Sequence, residues 1–258
     1  MTIAGSDPSG GAGLQGDLKT FTVHGVYGMA VPTALTVQNT RGVSGVHDVP
    51  PAFVAAQLDA VLDDIPVHAA KTGMLSVVPT IEAIAEVLER RGVPPLVVDP
   101  VMVATSGDSL LDDDAVDTLV SRLFPLAAIV TPNLPEAERL VGFAIRSVAD
   151  MERAAKELSV RGASAVLVKG GHLDGDEIVD LLYFQGELHA FRDKRIDTPH
   201  THGTGCALAA AIAANIALGK AMPEAVQRSR EFVRRGLLLG VELGKGTNPI
   251  NHLGGAPA

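Results

Sequence analysis

One stretch of the chain runs from a glycine turn straight into an alanine-rich segment: His202-Gly203-Thr204-Gly205-Cys206, then Ala207-Leu208-Ala209-Ala210-Ala211-Ile212-Ala213-Ala214. A glycine turn ahead of a helix offers free backbone N–H groups at the positive end of the helix dipole, where a phosphate or other anion binds. Cys206, the one cysteine in 258 residues, stands at that same end. A helix N-terminus favours thiolate, so its sulfur could serve as a base or a nucleophile. The plainer alternative is a small buried hydrophobe behind an ordinary turn.

Other residues could do complementary chemistry. Asp99 closes the apolar run Leu96-Val97-Val98, where a carboxylate could hold a metal–phosphate complex or simply start a turn before Pro100. Asn133 and Glu136 lie three residues apart in Thr131-Pro132-Asn133-Leu134-Pro135-Glu136. Oxygen ligands so placed suit Mg²⁺, and the same spacing is that of a helix capping box. Lys169, in Lys169-Gly170-Gly171-His172, has small neighbours and could reach a phosphate. The run Gly5-Ser6-Asp7-Pro8-Ser9-Gly10-Gly11-Ala12-Gly13 permits close backbone approach to a ligand, but no Lys follows in the place a P-loop requires. No Cys/His spacing suggests zinc.

These residues must be positioned by regular elements, and the pattern supplies them. Thr2-Ile3-Ala4 reads as a strand and Leu14 to His24 as a helix stopped by Gly25. Gly28 to Val37 reads as one buried strand interrupted by Pro32. Helices are expected at Pro51 to Asp64, Val77 to Arg91, Asp112 to Leu123, 134–141, 147–161, 204–218 and about 223–241. Strands are expected at 69–72, 96–99, 128–130 and 165–169, with a hairpin at 178–183 and 187–191. The helix at 204–218 is apolar on every side, which marks one buried all round. Short apolar strands alternating with helices specify an α/β fold, a largely parallel sheet covered by helices on both faces. With no linker or repeat, one domain spanning 1–258 is expected. Six strands end in polar or glycine-rich residues (Gly5-Ser6-Asp7, Gln38-Asn39, Lys71-Thr72-Gly73, Asp99-Pro100, Thr131-Pro132-Asn133, Lys169-Gly170-Gly171). The carboxyl ends of parallel strands share one edge, where ligands bind.

Composition narrows the partners. The chain carries 21 Lys+Arg against 30 Asp+Glu, a net charge of −9, which argues against nucleic acid and anionic membrane surfaces. Aromatics are only 3% and Trp is absent, so the core must be aliphatic. A lone Cys fits a reducing compartment. No secretory pattern and no run of about 18 apolar residues is found, so a soluble, cytoplasmic protein is expected.

The segments named above, together with Gln15, Asp17 and Lys19, Thr36-Val37-Gln38-Asn39-Thr40, Lys71-Thr72-Gly73-Met74, Asp99-Pro100-Val101-Met102 and the closing Pro249, Asn251 and His252, closely resemble the hydroxymethylpyrimidine/phosphomethylpyrimidine kinases of thiamine biosynthesis. That family belongs to the ribokinase-like superfamily, whose sugar kinases carry Asp where this chain has Cys206. The resemblance implies an active site at the carboxyl edge of the strands and ATP- and Mg²⁺-dependent phosphorylation of 4-amino-5-hydroxymethyl-2-methylpyrimidine and its monophosphate. It also implies a homodimer. It implies that Gly5, Asp17, Gln38, Met74 and Val101 line the pyrimidine pocket, that Asp99, Asn133 and Glu136 organise MgATP, and that Lys169 contacts phosphate. Gly203, Thr204, Gly205 and Cys206 would form the anion hole, with Cys206 as base. Two positions depart from the family pattern: Thr105 replaces a usual Lys, and His200 a frequent Asn. Competing readings are a pyridoxal-type kinase, a non-catalytic pyrimidine-binding or regulatory module, and a cysteine-dependent transferase or hydrolase whose one candidate partner is His202.

Overall fold

The structure, a computed structural model, describes residues 1–102, 111, 113–171, 173 and 175–254. Thr105 with its segment Ser106-Gly107-Asp108, and His172, lie outside the described residues. In chain order the elements are β1 (Thr2–Ala4), α1 (Gly13–Val23), β2 (Ala30–Pro32), β3 (Ala34–Asn39), β4 (Gly42–Asp48), α2 (Pro51–Asp64), β5 (Ala70–Thr72) and α3 (Val78–Arg91). Then come β6 (Leu96–Val98), α4 (Asp113–Leu123), β7 (Ala127–Val130), α5 (Leu134–Val141), α6 (Val148–Ser159), β8 (Ala165–Val168), β9 (Glu177–Phe184), β10 (Glu187–Lys194), α7 (Thr204–Ala217) and α8 (Met222–Leu238).

The main sheet has eight strands in the order β10-β9-β8-β7-β6-β5-β1-β2. From β8 to β2 every pairing is parallel, while β9 runs antiparallel to both β8 and β10. Successive strand residues point to opposite faces, and both faces are used. Leu96, Val98, Val166 and Val168 pack with Leu58, Ile84, Leu119 and Leu158 of α2, α3, α4 and α6. Val97, Ala165 and Leu167 pack with Phe21 of α1, Leu208 and Ile212 of α7, and Val226 of α8. Burial on both faces is why these strands read as continuous apolar runs.

Helix α7 packs against the sheet, α1 and α8, and is buried without interruption from Ala207 to Asn215. Its alanines let three layers approach closely. The one polar residue of that run, Asn215, donates to Ala211 O at 2.9 Å and to Ser229 Oγ at 3.3 Å.

One expectation fails. The chain from Gly28 to Val37 is not a single buried strand. Strand β2 ends at Pro32 on the edge of the main sheet, and β3 leaves to pair antiparallel with β4 in a separate two-stranded sheet. Pro lacks the donor needed to continue a ladder, which confines it to such edges. Along β3 only Ala34 is fully buried. Thr36 and Gln38 share one side, joined by a 3.1 Å hydrogen bond from Thr36 Oγ1, and Leu35 and Val37 point the other way into solvent. Elsewhere the boundaries agree to within a few residues. Among the described residues no helix is long and apolar enough to cross a membrane.

Candidate active site

The loops that follow β1, β5, β6, β7 and β8 meet the first turn of α7 around a cleft of about 720 Å³. Gly5, Gln38, Met74 and Val101 line it. Asp99, Asn133, Glu136 and Lys169 line it as well, with Gly203, Thr204, Gly205 and Cys206. Of the residues expected there, Asp17 alone does not border the cleft. It projects from the second turn of α1 into the protein, fully buried, with Oδ2 2.8 Å from Lys71 Nζ and 2.6 Å from Thr2 Oγ1. Its partner Lys71 does border the cleft.

Part of the cleft is organised by charge. Lys169 Nζ lies 3.0 Å from Asp99 Oδ1, which also accepts from Thr131 Oγ1 at 2.9 Å. Burial works against the Lys169 ammonium, but Asp99 and then Glu136 outweigh it and raise its pKa. A Cβ on Gly205 would stand 3.3 Å from Lys169 Nζ and 3.8 Å from Asp99 Oδ2, so the turn passes directly over this pair.

Asn133 and Glu136 realise the capping-box reading of their spacing. Asn133 caps α5, accepting the Glu136 N–H at 2.9 Å, and Glu136 Oε2 accepts the Asn133 N–H at 2.8 Å. The Asn133 oxygen expected as a metal ligand is thus engaged by the helix, which leaves Asp99 and Glu136 of the expected ligand set, both lining the cleft. Burial, aided by Asp99 and opposed by Lys169, raises the Glu136 pKa to about 7. No group of three or more His, Cys, Asp or Glu among the described residues could enclose a metal. Two buried carboxylates beside a lysine nevertheless suit Mg²⁺, which keeps its waters and binds chiefly through substrate phosphates.

The turn at Gly203–Cys206 is fixed from outside. Gly203 has φ +79°, and a Cβ there would fall 2.0 Å from Gly11 O, so only glycine fits. Next to it His202 Nε2 lies 2.7 Å from Asp7 Oδ2. Asp7 also accepts from Ser9 N, Ser9 Oγ and Ala12 N at 2.6–2.9 Å. Burial opposes the Asp7 charge, but the His202 and Ser9 hydrogen bonds prevail and lower its pKa to about 2. The pair fastens the glycine-rich loop after β1 to the anion turn, 195 residues further on.

Cys206 sits half-buried in the first turn of α7. Burial pushes its pKa up to about 11, Lys71 and the Gly13 N–H pull it down, and Asp17 and Asp99 push it up again.

Sequence reasoning missed a further part of the cleft, bordered by Arg195, Thr198, Arg230 and Arg234. Arg195 donates to the carbonyls of Gly171, Leu173 and Gly175 at 2.5–2.9 Å, pinning the loop after β8. Arg230 Nε lies 2.7 Å from Asp180 Oδ2, whose Oδ1 accepts the Gly170 N–H at 2.8 Å. These residues fall in no motif. Arg195 and Thr198 follow a hairpin, and the others lie on an ordinary amphipathic helix.

A mostly parallel sheet covered on both faces, with a glycine turn at a helix start facing a lysine–aspartate pair across its carboxyl edge, defines a small-molecule kinase of the ribokinase-like class. The sequence matches the phosphomethylpyrimidine kinase family over residues 7–251, and the chain belongs to that family. It is 53% identical over 98% of its length to the thiamine biosynthesis bifunctional protein ThiED of Geobacter sulfurreducens, and spans about half, 52%, of that longer protein. It is 51% identical to a hydroxymethylpyrimidine/phosphomethylpyrimidine kinase of Rhizobium meliloti, covering 98% of this chain and 96% of the relative. The crystal structure of a phosphomethylpyrimidine kinase from Clostridium difficile is 45% identical with a TM-score of 0.81, over 90% of this chain and 96% of that one. A pyridoxal kinase from Staphylococcus aureus in complex with AMP-PCP and pyridoxal is 36% identical with a TM-score of 0.90, over 98% of this chain and 92% of that one.

Proposed function

We propose that one domain spanning this chain transfers the γ-phosphoryl group of ATP to the hydroxymethyl oxygen of 4-amino-5-hydroxymethyl-2-methylpyrimidine, and in a second round to the resulting monophosphate, giving the diphosphate. The observation that carries this reading is the passage of the Gly203–Cys206 turn over the Asp99–Lys169 pair. Phosphoryl transfer demands positioning and charge stabilisation more than covalent chemistry. Backbone N–H groups at the start of α7 would receive the negative charge of the transferring group, and Lys169 would neutralise phosphate oxygens. Cys206, in the same turn, takes the alcohol proton in its thiolate form, which Lys71 favours, as the oxygen–phosphorus bond forms. Asp99 and Glu136 would hold Mg²⁺, which when bound neutralises charge on the phosphates.

Elsewhere in the cleft, Gln38 reaches in from β3 to hydrogen-bond the pyrimidine, while Gly5, Met74 and Val101 bound the ring. Asp17 acts from behind this pocket. The relatives' names support the pyrimidine. The closer backbone match to pyridoxal kinase favours a second, weaker activity on pyridoxal. We further propose that the protein works in the cytoplasm as a homodimer, with Leu35 and Val37 on the outer side of β3 covered by a second copy; light scattering of the purified protein reads the mass directly. Incubating the protein with Mg²⁺, ATP and the pyrimidine alcohol or its monophosphate, then assaying by mass spectrometry, tests the activity: phosphorylated product supports it, and none from folded protein rejects it.

A further inference from the structure

The closing segment Asn248-Pro249-Ile250-Asn251-His252 has no part in the reaction as described so far. Asn248 is buried, and it joins two pieces of the molecule that lie far apart in sequence. Its side-chain Oδ1 accepts the N–H groups of Leu243 and Gly244 at 2.9 and 3.0 Å, which closes residues 243–248 into a compact loop. That loop grips Thr40 at the turn between β3 and β4. Thr247 N–H donates to Thr40 O at 2.8 Å, and Gly246 N–H to Thr40 Oγ1 at 3.2 Å. A Cβ on Gly246 would lie 2.0 Å from Thr40 O, so the approach demands glycine. The Asn248 main chain holds the second piece. Asn248 O accepts the His202 N–H at 3.1 Å, and Ile250 N–H donates to His202 O at 3.3 Å, a parallel bridge just ahead of Gly203.

Thr40 closely follows Gln38, and the hairpin that carries both needs the tie. A two-stranded sheet is marginally stable on its own. Its root is held by Ser6, whose N–H donates to Ala34 O and whose O accepts from Thr36 Oγ1, each at 2.8 Å. From Val37 to Asp48, among the described residues, the hydrogen bonds to the rest of the protein are those at Thr40. Between root and tip the ladder slips. Val37 faces Gly45 but Gln38 faces Val43, which leaves Ser44 as the extra residue of a bulge. A bulge bends its strands and re-aims the side chains beside it, so the direction of Gln38 depends on the part of the hairpin that Thr40 anchors. We propose that Asn248 is a positioning residue for the pyrimidine: through Thr40 it aims Gln38, from the same segment that braces the Gly203–Cys206 turn. The proposal rests on the role given above to Gln38.

The test is steady-state kinetics of the full chain with the pyrimidine and ATP varied separately. Asn248→Ala removes the side-chain acceptor and keeps the main-chain bridge to His202. Its KM for the pyrimidine should rise about tenfold, the effect of losing an anchoring hydrogen bond, while kcat and the KM for ATP stay near wild type. Asn248→Asp keeps the acceptor oxygen and should bring the pyrimidine KM most of the way back. Thr40→Val removes the hydroxyl on the other side of the contact and should raise the same KM. Combined with Asn248→Ala it should add little, because both act through one contact. A rise shared equally by both KM values, no rise, no recovery in Asn248→Asp, or multiplied effects in the double variant would each overturn the proposal. If Asn248→Ala does not fold, Thr40→Val, which is only half-buried, carries the KM comparison alone. Amide hydrogen exchange reads the tie without turnover. Exchange in the hairpin beyond Val37 should quicken about tenfold in Asn248→Ala while the central strands β5 to β8 keep their protection, and an unchanged hairpin would again overturn the proposal. A wild type that phosphorylates nothing would reject the functional reading and leave the exchange result to judge the tie.

Discussion

His202 Nε2 and Asp7 Oδ2 meet at 2.7 Å across 195 residues of sequence, and this contact joins the glycine-rich loop after β1 to the turn that opens α7. Because Asp7 is held at about 2 against an ordinary 3.8, its stabilising effect is fully present above pH 3.8 and is lost as pH falls toward 2. Asp7→Asn should therefore lower stability at pH 7 by about 2 kcal/mol, and the deficit should shrink in denaturant melts at pH 3. An equal deficit at both pH values would show that the carboxylate charge is not what matters.

Gly203→Ala should fold but lose activity. Its φ of +79° and the 2.0 Å approach to Gly11 O leave no room for a side chain, so the turn must shift away from the phosphate. Loss of such donors costs about 10²–10³ in kcat. Steady-state kinetics beside a circular dichroism spectrum will separate this from misfolding.

Glu136 supplies a second pH signal. Its pKa near 7 exceeds its ordinary 4.5, so the stability it contributes is present below pH 4.5 and is lost as pH rises through 7. Without nucleotide, Glu136→Gln should be the more stable protein at pH 8 and no more stable at pH 4. Gln also completes a capping box, so α5 should persist while nucleotide-dependent turnover falls about tenfold or more, as expected for removal of a charged metal ligand. Thermal melts at the two pH values and kinetics with varied Mg²⁺ check both points.

The buried helix α7 should tolerate little. Ala211 is fully buried on the face of α7 turned to α8, in one apolar cluster with Phe232 and Ile250, and Ala211→Leu should cost about 1–3 kcal/mol through overpacking. A melting temperature unchanged from wild type would contradict the close packing.

Most of what positions the cleft is legible in the chain because the signals are local. Leu96-Val97-Val98 announces a strand buried on both faces, Asp99 its polar end, and the alanines after Cys206 a helix without a solvent side. Three things are not local. Strand β4 contains two glycines and few apolar residues, so only its pairing with β3 reveals it. Asp17 shares its spacing with residues that line the cleft, and its burial depends on where Lys71 of β5 points. The Cys206 thiol stands at a helix start, as its sequence suggests, but the charged groups that bear on it, Lys71, Asp17 and Asp99, come from β5, α1 and the end of β6. Arg195 and Arg230 escaped for the same reason: their partners, the loop at 170–175 and Asp180, are chosen by the fold.

The most direct measurement is a mass-spectrometric time course with Mg²⁺, ATP and the hydroxymethylpyrimidine, comparing wild type with Cys206→Ala. The account predicts monophosphate and then diphosphate from the wild type, with a rate reduced about 10²-fold or more in the variant, the usual contribution of a general base. Product formed equally fast by the variant, or no product from the wild type, would contradict it.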